Sequence, residues 1–246
     1  MRMRRILVGL ALVAAGCGPM RSAAPPVVPP KRVAAPVAPR KAKAPTEPRA
    51  SELACVNHPR IDSWETRMRS HSSHNWTARR VLERGQPYLP RLREIMAEEG
   101  LPESIALLPG IESGFRPRAR GHFGDVGMWQ LRKPTARRFG LVVHNQRDDR
   151  LDPFRSSQAA ARYLRYLHRR YRDWPLALAA YNAGEGRVDR ALRRYPKATF
   201  WQLADKGHLP VTSREFVPRF FALVRLSELG VLCQPNGLPA LQQASR

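Results

Sequence analysis

Glycine and proline cut everything after about residue 51 into helix-length pieces, and that punctuation most restricts what the chain can fold into. Asn75 is placed to cap a helix over Trp76 to Arg84, which Gly85 stops. Pro87 to Glu99 carries Leu89, Leu92, Ile95 and Met96 on one face, with Gly100 after it. Pro102 opens a helix through Ile105, Leu108 and Ile111 to Glu112, and Pro109 inside it predicts a kink or a split into two short pieces. Pro134 to Phe139 is a short helix closed by Gly140, and Pro153 to Tyr171 a long one. Pro175 to Tyr181 follows, and Gly184 and Gly186 interrupt the pattern before Val188 to Tyr195. Ser213 is placed to cap a last helix through Leu229, stopped by Gly230. No segment alternates convincingly with a period of two, so the fold class read here is all-α.

The first 50 residues are of another kind. Met1 to Arg5 is a positive segment, and Ile6 to Ala15 is apolar apart from Gly9, too short to span a bilayer. This is the pattern of a signal peptide. Ala14-Ala15-Gly16-Cys17 follows and resembles the lipobox of bacterial lipoproteins, with Ala14 in place of the usual branched aliphatic residue. The reading is lipidation at Cys17; the alternative is ordinary cleavage that leaves a spare thiol. Gly18 is not the Asp that would flag inner-membrane retention, so the expected location is the periplasm, anchored by lipid to the outer membrane. Residues 18–50 are rich in Pro, Ala and basic residues and lack aromatics, and they read as a tether. The folded domain is expected over residues 51–236, with its core over about 79–229, and 237–246 as a tail. About 190 residues remain after the signal and tether, enough for one sizeable core.

Cys55 and Cys233 flank the folded region. In an oxidising compartment they can pair and staple its ends, which the chain-entropy model values at about 4–5 kcal/mol. The alternative is two buried free thiols. Two cysteines with His71 and His74 make no plausible four-ligand set, so neither metal nor cofactor is expected. Lys and Arg number 43 against 20 Asp and Glu, a field that attracts polyanions of any kind. Arg162 to Arg172 interleaves arginines with aromatics, which would suit nucleic acid. The same run reads more simply as an amphipathic helix with aromatics inward, and a signal peptide removes the chain from nucleic acid, so no nucleic-acid partner is expected.

Three segments fit chemistry better than packing. In Ile111-Glu112-Ser113-Gly114-Phe115 a carboxylate follows an apolar run at the C-terminal end of a short helix. Desolvation and the helix dipole both disfavour its charged form, which suits a general acid. In Gly127-Met128-Trp129-Gln130-Leu131 the aromatic and thioether side chains offer flat apolar surface and Gln130 a donor and acceptor, as sugar sites require. The alternative there is a core tryptophan on a buried turn. In Ala179-Ala180-Tyr181-Asn182-Ala183-Gly184, Tyr181 and Asn182 stand where a closely packed helix ends.

In this order and at these separations the three segments resemble the lytic transglycosylases with a soluble-lytic-transglycosylase-like catalytic domain, most of all the membrane-bound murein transglycosylase D branch. Glu112-Ser113 matches the family's Glu-Ser motif, Gly127 to Gln130 its glycine-aromatic-glutamine motif, and Ala180 to Gly184 its Ala-Tyr-Asn-Ala-Gly motif. The likeness covers about Arg79 to Leu229. It implies a lysozyme-like helical domain of the goose-type lysozyme and transglycosylase kind. The substrate would be peptidoglycan glycan strands, cut at the MurNAc-GlcNAc β-1,4 bond with formation of 1,6-anhydroMurNAc. Glu112 would be the one acid/base, Tyr181 would position or polarise the acetamido group, Met128, Trp129, Gln130 and Asn182 would shape the substrate site, and Ser113, grouped with them, would hydrogen-bond locally and orient the cleft. A monomer is expected. Two departures stand out. Gly121 to Val126 replaces a more neutral small-residue loop, and no LysM-like repeat follows Leu229. The alternatives are a lysozyme-type hydrolase on the same fold and a non-catalytic glycan-binding lipoprotein.

Overall fold

The computed structural model describes residues 53, 55–70 and 77–227. Helix α1 (Pro59–Ser70) is followed by α2 (Ala78–Gly85) and α3 (Leu89–Glu98). A 3-10 helix, Glu103–Leu107, then runs into α4 (Leu108–Glu112), and α5 spans Lys133–Arg138. Strands β1 (Val143–His144) and β2 (Arg147–Asp148) form a small antiparallel hairpin with Val143 opposite Asp148. After a 3-10 turn at Asp149–Leu151 come α6 (Pro153–Tyr171), α7 (Trp174–Ala183), α8 (Glu185–Arg194), α9 (Phe200–Asp205) and α10 (Val211–Leu226). The fold is all-α apart from the hairpin, which two-residue strands kept out of any periodicity.

Local chemistry explains the boundaries. The Asp152 carboxylate accepts from the backbone N–H of Phe154 and Arg155, Pro153 occupies the first turn, and Arg172 ends α6 in the left-handed region at φ 53°. Asp173 caps α7 by accepting from the Leu176 N–H at 2.6 Å. Helix α7 is buried along most of its length, and α6, α8 and α10 pack around it. Helix α10 also covers α1 and α4.

Several expectations need correction. Thr77, not Asn75, caps α2, its side chain accepting from the Arg80 N–H; Asn75 and Trp76 lie outside the described residues. Gly186 does not interrupt a helix but sits in the first turn of α8, the chain reversal being made by Gly184 at φ 84°. Ser213 is not a cap: α10 begins at Val211, and the Ser213 hydroxyl is committed to Asn182. Helices α1 and α9 were not anticipated, although Thr199 and Gln202 form a reciprocal capping box in front of α9. The split at Pro109 is observed, as the junction of the 3-10 helix and α4.

Cys55 is held in a disulfide. Cys17, Cys233, His71 and His74 lie outside the described residues. Among the described residues no helix is long and apolar enough to cross a membrane.

Candidate active site

Glu112 stands at the end of a buried strut. The N–H groups of Ser113 and Phe115 both donate to the Pro109 carbonyl, at 3.0 and 3.1 Å, and close the short helix α4. Gly114 and Phe115 then take left-handed backbone, φ 63° and 56°, and bury the Phe115 ring beneath the turn. Gly110 lets this strut lie deep: a Cβ there would stand 2.7 Å from Leu223 and 2.9 Å from Val81. The Glu112 side chain is half-buried at a cleft of about 650 Å³. Desolvation raises its pKa to about 8; the nearby Asp125 charge adds to the rise, and Arg219 opposes it. At neutral pH the group therefore holds its proton.

The second motif forms the cleft floor. Gly127 lies at φ 86°, where a Cβ would fall 1.9 Å from the Arg150 carbonyl oxygen, so only glycine fits. The backbone of the turn is gripped from two helix ends. The Ser113 hydroxyl donates to the Met128 carbonyl at 2.8 Å, and the Tyr181 hydroxyl donates to the Trp129 carbonyl at 2.8 Å. Gln130 follows at φ 48°, and its amide donates to the Gly127 carbonyl at 2.8 Å while lining the cleft.

This geometry corrects the roles expected for Met128 and Trp129. Both side chains are wholly buried, and Trp129 Nε1 donates to the Ser157 hydroxyl of α6 at 2.7 Å. They support the floor from beneath and offer no face to a sugar. Ser113 bonds locally to the turn: its oxygen accepts the Arg116 N–H and its proton goes to Met128, and it is not part of the cleft lining.

At the end of α7, Tyr181 and Asn182 do line the cleft. The Asn182 side-chain carbonyl accepts from Ser213 at 2.9 Å, which ties α7 to α10. Tyr181 packs 5.4 Å from the Tyr163 ring, and the Tyr163 hydroxyl donates to Glu185 at 3.2 Å. Burial raises the pKa of both phenols, so each stays neutral.

The cleft also contains residues that sequence reasoning did not select: Tyr163, Glu185, Arg132, Phe123 and Asp125. Tyr163 was visible only as an inward aromatic of α6. Asp125 had a signal, being the one carboxylate between Gly121 and Gln130. Among the described residues no His, Cys, Asp and Glu cluster suited to a metal ion is found.

Residues 93–204 match the family model described as the transglycosylase SLT domain. Membrane-bound lytic murein transglycosylase D of Escherichia coli (strain K12) is 34% identical over 148 residues, which cover 58% of this chain and 32% of that protein. A putative tributyltin chloride resistance protein of Alteromonas sp. (strain M-1) is 40% identical over 110 residues, 44% of this chain and 53% of that one. Among solved structures, the lytic transglycosylase Slt from Pseudomonas aeruginosa aligns with a TM-score of 0.48 at 27% identity, over 56% of this chain and 23% of that one. The chain thus spans about a third of the length of the first relative and about half of the second. Residues 93–204, which bring all three motifs around one cleft, are thus similar to the transglycosylase SLT domain.

Proposed function

We propose that this chain is a peptidoglycan lytic transglycosylase that cleaves the MurNAc-GlcNAc β-1,4 bond and leaves a 1,6-anhydroMurNAc end. The carrying observation is Glu112, a carboxyl at the cleft that keeps its proton up to about pH 8. Relatives named as lytic murein transglycosylases support the same substrate. Glu112 gives its proton to the departing glycosidic oxygen as the C1–O4 bond breaks. The substrate's acetamido group stabilises the cationic C1. The Glu112 carboxylate then takes the proton of the C6 hydroxyl as O6 bonds to C1, which restores the acid without consuming water. The single proton of Tyr181 is already given to Trp129, so this phenol meets the acetamido N–H with its lone pairs. It positions the acetamido group by accepting from it.

Asp125 favours a second reading. A second carboxylate beside the acid is the equipment that hydrolytic glycosidases use to activate water. The Asp125 carboxylate is instead engaged by Arg132 at 3.0 Å, which favours the water-free route. Digestion of purified sacculi followed by mass spectrometry separates the two. Anhydro ends support transglycosylation, and reducing ends would establish a hydrolase. Glu112→Gln should abolish both products; glycan binding without soluble product from the unaltered chain would leave only a binding protein.

The location proposed is the periplasmic face of the outer membrane, through lipid on Cys17 and the tether of residues 18–50, with the domain as a monomer. Relatives named as membrane-bound support the membrane association. Cys233 is the proposed disulfide partner of Cys55. Palmitate labelling that survives Cys17→Ser would overturn the anchor assignment.

A further inference from the structure

The side chain best placed to stack on a sugar is not in any of the three motifs. Phe123 lines the cleft and is 78% exposed, the most exposed large hydrophobic side chain among the described residues. A single exposed apolar residue on an open surface needs no explanation. This one is carried on a loop built to hold it. The Gly121 N–H donates to the Asp125 carbonyl at 2.8 Å and closes the loop on itself. The carbonyl of Gly124, at φ 77°, accepts from the buried Arg150 guanidinium at 2.9 Å. A Cβ at Gly121 would stand 2.8 Å from Gln130 Oε1 and 3.1 Å from Asp125 Cβ, so the loop lies directly on the cleft floor. Arg132 bonds Asp125 through Nε and places its guanidinium carbon 5.7 Å from the Phe123 ring centre.

A flat aromatic thus shares the cleft wall with a carboxylate, a guanidinium and a carboxamide. A hexopyranose has matching parts, an apolar C–H face and a rim of hydroxyl and acetamido groups. A loop whose backbone is fixed before the ligand arrives also lowers the ordering cost of binding. We infer that Phe123 is a sugar-stacking platform on one wall of the cleft, with Asp125, Arg132 and Gln130 bonding the polar rim of the same residue of the glycan strand. This rests on the glycan substrate proposed above and assigns a specificity-determining contact within it.

The test uses the full chain carrying Glu112→Gln, so that strands are bound and not cut, with soluble peptide-free glycan strands as the probe in calorimetry. Phe123→Ala should weaken binding about tenfold, the scale of one well-placed aromatic contact. Phe123→Tyr should bind like the parent, and Phe123→Leu should behave like Ala, because leucine keeps apolar bulk and loses the flat face. In the active chain the same substitution should raise KM and leave kcat as the smaller effect. Thermal melts check that the variants fold. Full binding by Phe123→Ala, or rescue by Phe123→Leu, overturns the platform while anhydro products from the unaltered chain keep the proposed activity standing. An unaltered chain that neither binds nor cuts the strands overturns both.

Discussion

The Tyr181 hydroxyl donates to the Trp129 carbonyl at 2.8 Å, and so joins the end of α7 to the turn that floors the cleft. The Ser113 hydroxyl does the same for the neighbouring Met128 carbonyl from the end of α4. Two helices that reach the site from different parts of the chain therefore hold consecutive carbonyls of one turn. Ser113→Ala and Tyr181→Phe should each cost about 1–3 kcal/mol, because each leaves a carbonyl without its donor. Urea titration of the singles and the double should show coupling of at least about 0.5 kcal/mol, since both bonds restrain the same backbone.

The pH dependence of the proposed reaction follows from its acid. Glu112 must be protonated to give up its proton, so activity should fall as pH rises through about 8. Asp125→Asn removes a negative charge that holds this pKa up, and the alkaline limb should move to lower pH. A pH–kcat/KM profile of the two proteins measures the shift; a shift upward would contradict the assigned neighbourhood.

The same group should cost stability. Below the ordinary pKa of 4.5, folded and unfolded chains both hold the proton. Between there and about 8 the unfolded chain releases it and the folded chain does not, so stability declines as pH rises across that window. Glu112→Gln abolishes the decline. Its melting temperature should exceed that of the unaltered chain, by a margin that grows from pH 5 to pH 8 in differential scanning calorimetry.

Trp129 should behave as a core residue. Its ring is fully buried and its N–H satisfies Ser157, so Trp129→Ala should cost about 3–5 kcal/mol. At about 2–4 °C per kcal/mol for a domain of this size, the melting temperature should drop by roughly 6–20 °C. A stable variant with only a raised KM would return Trp129 to the sugar-binding face.

Two glycines should respond in opposite directions. Gly127→Ala meets the Arg150 carbonyl oxygen at 1.9 Å in left-handed backbone and should destabilise by at least about 2 kcal/mol. At Gly186 an added Cβ meets nothing, and the residue lies in the first turn of α8. Gly186→Ala should therefore stabilise by about 0.4–1 kcal/mol. Denaturant midpoints read both.

Much of this was legible because the signals were local. Asp152-Pro153 announces α6, and Pro109 divides the approach to Glu112. The burial of Glu112 was also legible, from the apolar residues before it. What escaped needed tertiary information. Nothing local distinguishes a tryptophan facing a sugar from one facing Ser157, because the residue type suits both. Nothing local told that Ser213 would look to Asn182 instead of to its own helix end. The loop from Gly121 to Val126 was noticed as a departure, yet its meaning required seeing it folded against Gln130. The capping box at Thr199 and Gln202 was a local signal that went unread.

Arg150 has a wider consequence. Its one guanidinium is bonded to the carbonyls of Gly124 and Leu131 and to the Asp148 carboxylate on the hairpin. The rim of the groove and the hairpin behind it are therefore a single mechanical piece, and loosening that cation would let them drift apart. New preferences for the proposed glycan substrate would have to arise by exchanging side chains along the loop, since its path is anchored from below.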